Sequence, residues 1–138
     1  MDIDTDFADP EIEREGVWIP YRGDSKVLIA RLGNPNWQSK HDRLMKPFVR
    51  LARDGKLPTK KQTDILCESY AGTVVLDWSG FTKAGKVLKF TDDACVKLLK
   101  ARLDFRNDMS VLASDEENFK REVDEETAKN SATSSNGS

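Results

Sequence analysis

The hydrophobic pattern of the chain changes period as it runs. "GVWIPY", from Gly16, and "KVLIARL", from Lys26, are rich in β-branched and aromatic residues, and they flank "RGDS" (Arg22 to Ser25), which has turn chemistry. This predicts a β-hairpin over residues 16–32. Pro20 has no amide to donate, so the first strand is expected at an edge there. A lone hairpin is marginal in water and must lie on something else. After Gly33-Asn34-Pro35-Asn36 the period becomes helical. Trp37, His41, Leu44, Phe48 and Leu51 recur at spacings of 4, 3, 4 and 3. They predict an amphipathic helix from Trp37 to Arg53, widened by Met45 and Ala52. Lys40, Arg43, Lys46, Arg50 and Arg53 fall mostly off the stripe. Pro47 predicts a kink or break near Lys46, and Asp54-Gly55 a stop.

A second helix is expected to begin at Pro58-Thr59. Ile65, Leu66, Cys67, Tyr70, Ala71, Val74, Val75 and Trp78 make it apolar on much of its circumference, as a central helix would be. Gly72 then falls mid-helix, which predicts close packing there. "SGFTKAGKVLKF" (Ser79 to Phe90) reads as a loop, with Leu88 and Phe90 folding back. Thr91 followed by Asp92-Asp93 marks the start of a third helix, whose buried side is Ala94, Cys95, Leu98 and Leu99. "FRNDMSVLA" reads as a short helix or turn. Ser114 with Glu117 has the form of a capping box and opens a last helix over 114–129, anchored only by Phe119 and Val123. The expected fold is α+β and mostly α: one domain over 16–113, in which an N-terminal hairpin packs on three to five helices. It is flanked by a flexible acidic arm (1–15), the weakly anchored helix (114–129) and a disordered polar tail (130–138).

Composition sharpens this picture. With 138 residues the chain suits one domain, and with 33% charged residues it suits one modest core. No run of about 18 apolar residues exists to cross a membrane. The acidic start lacks the basic and apolar regions of a secretory signal. Cys67 and Cys95 sit in apolar contexts, as free buried thiols of a reducing compartment do. The net charge of −2 is segmented. Residues 1–15 carry seven acids and one base, residues 16–61 eleven bases and three acids, and residues 114–138 seven acids and three bases. Either the acidic ends lie over the basic body, or that body meets an acidic partner.

Groups that do chemistry are sparse. No nucleophile elbow, zinc-protease, P-loop or dinucleotide pattern occurs. His41, the one histidine, lies on the apolar stripe and reads as structural. Asp92-Asp93 and Glu116-Glu117 sit at helix starts, where the helix dipole accounts for them. Two cysteines and one histidine do not close a four-ligand zinc site without carboxylates. No catalytic, cofactor-binding or metal residue is expected. The cations of 40–61 are enough for phosphate contacts, but no nucleic-acid motif or aromatic interleaving accompanies them.

Four phrases in order carry a resemblance: "EGVWIPYRGDSKVLIARLGNPNW", "ILCESYAGTVVLDWSGF", "LKFTDDACVKLL" and "EENFKREVDEETAKNS". Together they resemble the tail assembly chaperones of long-tailed bacteriophages. Ser25, Val27, Ile29, Ala30, Arg31, Asn34 and Trp37 match the family's extended pair and helix start, with Trp37 where tyrosine or phenylalanine is more usual. Asp77, Trp78 and Gly80 match a phrase closing an apolar helix, and Glu117, Asn118 and Phe119 the last phrase. The resemblance implies a protein without an enzymatic activity or cofactor. It would bind and solubilise the tape measure protein, help recruit tail tube protein, and act in the host cell cytoplasm while being absent from the mature virion. It also implies a longer, frameshifted form in many members, and self-association suits such a role. On that basis Trp37, Arg43, Phe48, Arg50, Phe119 and Val123 are the candidate partner-binding residues. Arg31 and Asn34 are candidates to tie the hairpin to the helix start, and Asp77 and Trp78 to hold a helix end. The alternative is a small nucleic-acid-binding or tail/connector protein using the basic helix 37–53.

Overall fold

The computed structural model describes residues 1–121. β1 (Val17–Pro20) and β2 (Lys26–Ile29) form the hairpin, with Val17 opposite Ile29 and Pro20 opposite Lys26. Alternation places Val27 and Ile29 in the core with no exposed surface. A third strand, β3 (Val75–Ser79), pairs antiparallel with β2 on its other side, so the sheet runs β1-β2-β3 and Pro20 lies on an edge strand.

β3 corrects the long second helix. α4 spans only Thr59–Tyr70, and the chain then turns through Ala71–Val74 into the sheet. Gly72 makes the turn with φ of 81°, where a Cβ would also come within 3.0 Å of the Asp92 carboxylate. The Thr73 hydroxyl donates to the Ser69 carbonyl and helps close the turn. Val74, Val75 and Trp78 are buried, so strand and helix merge into one apolar run that periodicity alone does not divide. Asp77 and Trp78 therefore stand on a strand and close no helix.

The predicted helix from Trp37 breaks at its proline. α2 spans Pro35–Met45, a 3-10 turn covers Lys46–Phe48, and α3 covers Val49–Arg53. In the expected loop lies a small hairpin of β4 (Thr82–Lys83) and β5 (Lys86–Val87). α5 (Asp92–Ala101) is capped by the Thr91 hydroxyl, which accepts from the Ala94 amide. α6 (Leu103–Ser114) packs on α5 and β2. Cys95 and Leu99 of α5 join Phe105, Met109 and Ala113 of α6 in the core. Cys67 and Cys95 are free and buried, and burial pushes the Cys95 thiol up to about 12.

Both flanks of the domain differ from expectation. Residues 10–15, assigned to a flexible arm, form α1 (Pro10–Glu15), with Asp9 as N-cap and Pro10 in the first turn. Arg31 fastens α1: its guanidinium pairs with Glu13 at 2.8 Å and its amide donates to the Glu13 carbonyl. At the other flank, α6 continues through Ser114. Asp115, rather than Ser114, accepts from the Glu117 amide and starts a 3-10 turn over Glu116–Phe119. Phe119 has no exposed surface, so this segment is firmly anchored by one aromatic ring. The rest of the helix expected over 114–129, and the tail at 130–138, lie outside the described residues.

Candidate functional site

Asn34 sets the position of α2. Its side-chain oxygen accepts from the Trp37 amide at 3.0 Å, which caps the helix. Its amide nitrogen donates to the carbonyls of Arg31 at 2.7 Å and Thr73 at 2.8 Å. One buried side chain thus joins the hairpin exit, the start of α2 and the turn after α4. Further along, the Trp37 indole N–H donates to Ser69 Oγ at 3.2 Å, and Lys40 Nζ to the Ala71 carbonyl at 2.7 Å. Lys61 Nζ of α4 stands 4.9 Å from the centre of the Phe48 ring.

These anchors hold α2 beside α4 without sealing the gap. Between them lies an open groove of about 580 Å³. Trp37, His41 and Met45, at i, i+4 and i+8 on α2, form one wall. Gln62, Ile65, Leu66, Ser69 and Tyr70 of α4 form the other. Leu32 and the Ala52–Leu57 segment complete the lining. No residue of α2 or α3 is fully buried. Val49 and Leu51 of α3 are 55% and 43% exposed, which adds apolar surface on the segment that closes one end.

Polar chemistry in the groove is limited. Ser69 Oγ donates to the Leu66 carbonyl while it accepts from Trp37, so its hydroxyl is committed to structure. His41 stacks on Trp37 with ring centres 4.7 Å apart. Its Nδ1 is shielded from solvent and has no hydrogen-bond partner among the described residues, with Asp42 Oδ1 at 3.9 Å. Tyr70 Oη and Ser110 Oγ share a hydrogen bond of 2.9 Å, and burial raises the phenol's pKa. Among the described residues no cluster of His, Cys, Asp and Glu is arranged to hold a metal ion. The arrangement suits apolar contact.

Charge is uneven along the groove. The segment that links α2 to the first turn of α4 at one end of the groove, residues 46–61, holds Lys46, Arg50, Arg53, Lys56, Lys60 and Lys61 against a single acid, Asp54, so the chain is cationic there. At the other end Lys40 is tied to the Ala71 carbonyl. Of the sequence-predicted residues, Trp37 lines the groove and Phe48 is half-buried beneath Lys61. Arg43 and Arg50 are exposed but do not line it. Phe119 belongs to the core and is unavailable to a partner, which corrects its assignment; Val123 lies outside the described residues. Trp78 is buried, its indole N–H donating to the Leu88 carbonyl at 2.8 Å and its ring stacked on Phe81 at 4.6 Å. Asp77 accepts from the Trp78 amide. Leu66, expected on a central helix from its run of apolar neighbours, is half-buried and lines the groove.

Fold and groove together define a small α+β protein with an open, apolar, one-end-cationic cleft between two helices. A family model described as the YdaY prophage protein matches residues 32–130. The chain belongs to this family and is of phage origin. The matched range contains every residue that lines the groove and begins after the hairpin strands. No curated protein and no solved structure matches the chain.

Proposed function

We propose that this prophage protein is a tail assembly chaperone: it binds the tape measure protein, keeps it soluble and helps recruit tail tube subunits. The observation that carries this reading is the unsealed apolar groove along α2 and α4, in a chain whose phrases follow the order of that family. Apolar walls of this kind receive a partner helix by its i, i+3, i+4 and i+7 side chains. In this reading the protein works in the host cytoplasm through surfaces alone, leaves before the virion matures, and self-associates or pairs with a longer form of itself on the tape measure. Co-expression with the tape measure protein of the same prophage tests it. The expected result is a larger soluble fraction of that protein and a complex that co-elutes on gel filtration. An unchanged soluble fraction with no complex removes the reading.

The cations around the groove end favour a second reading, a nucleic-acid-binding or connector protein. Binding to DNA or RNA would then weaken steeply with salt. Absence of binding at low salt excludes the nucleic-acid form of it.

A further inference from the structure

We propose that the α2–α4 groove seats an amphipathic partner helix with its acidic end against the cationic linking segment that carries Lys46, Arg53 and Lys56. The identity of the partner as the tape measure protein rests on the chaperone reading; the groove and its polarity do not.

Three observations support the assignment. First, the walls run the length of both helices: α2 contributes Trp37, His41 and Met45, and α4 contributes residues from Gln62 to Tyr70. α2 has 11 residues, which at 1.5 Å each is about 16 Å, or about three turns of a helix lying alongside. Second, Ala52, Gly55 and Gln62 line the groove and are themselves exposed, so it opens sideways as a trough and does not enclose its contents. A trough suits a helix better than a small ligand, which usually has most of its surface buried. Third, the charge is one-ended. Among the described residues Lys46 and Lys56 make no ion pair, Arg53 reaches only its neighbour Asp54 at 3.8 Å, and Lys61 lies over the Phe48 ring. These cations are exposed or half-exposed and gain by meeting carboxylates.

The test uses the full chain and two labelled synthetic peptides, read by fluorescence anisotropy. Each peptide is an amphipathic helix of about three turns with the same leucine stripe; one ends in glutamates and the other in lysines. The acid-ended peptide is expected to bind at least about tenfold more tightly, with the difference shrinking as salt is raised. Ala52→Trp fills the trough from an exposed position and abolishes binding while the circular dichroism spectrum is retained. The double variant Arg53→Glu, Lys56→Glu inverts the preference between the peptides. Equal binding of both peptides, binding of neither, or binding indifferent to Ala52→Trp overturns the assignment. So does a peptide-free dimer that Ala52→Trp dissociates, because the groove would then belong to a second copy.

Co-expression separates this proposal from the one it builds on. If wild type solubilises the tape measure protein and Ala52→Trp does so equally, the groove assignment fails and the chaperone reading stands. If wild type leaves that protein insoluble yet binds the acid-ended peptide in the groove, the chaperone reading fails and the groove stands.

Discussion

α6 and α2 carry the same apolar spacing and use it differently. Phe105, Met109 and Ala113 on α6 stand at i, i+4 and i+8, and so do Trp37, His41 and Met45 on α2. The first three are 5%, 0% and 0% exposed, whereas none of the second three is fully buried. Period tells which side chains share a face. Depth depends on how many elements cover that face. α6 is covered by α5 and β2, while α2 packs chiefly against α4. The contrast separates a face that holds the fold together from one that the fold leaves open.

The comparison is sharpest at two methionines. Met109→Ala should cost about 2–5 kcal/mol, since it opens a cavity among fixed neighbours. Denaturant titration reads this as a lower midpoint with the slope unchanged. Asn34→Ala comes next, at about 2–3 kcal/mol, because it removes a helix cap and leaves the buried Thr73 carbonyl without its donor. Asn34→Asp separates the two contributions, keeping the cap acceptor and losing the donor. Met45→Ala should cost about 1 kcal/mol or less, since its side chain is already partly in water. Were Met45→Ala as costly as Met109→Ala, the groove would be closed in solution and the contrast between the helices would fail.

Much of the fold was legible wherever one residue type forces one geometry. The hairpin could be read from β-branched runs around Gly23-Asp24, the existence of α2 from the stripe that begins at Trp37, two residues inside its observed start, its break from Pro47, and α5 from Thr91 before two aspartates. β3 was not legible, because its buried Val75 and Trp78 continue the apolar run of α4 and the turn without a change of texture. Gly72 was the one mark of the boundary, and a glycine inside apolar surroundings also fits close helix packing. Phe119 departs from its expected weak anchorage for a related reason. Among acidic neighbours a single aromatic looks like weak anchorage, but a ring with no exposed surface secures a turn of chain by itself. At the groove, Trp37 could be found from the stripe, since its position on α2 was set by periodicity. Leu66 was hidden, because exposure there depends on how far α2 stands from α4, a distance that no local pattern encodes.

The clasp between the flanks has a consequence for how the polypeptide can be rewired. The Asp9 amide donates to the Phe119 carbonyl, Ala8 bridges to Lys120, and the Asp9 carboxylate receives Arg121 at 2.9 Å. Among the described residues, the segments around Asp9 and Lys120 therefore lie side by side and almost close a ring. A short peptide joining them, with the backbone reopened at the exposed Ala84-Gly85 tip, would yield a circular permutant with the same neighbours in a different chain order.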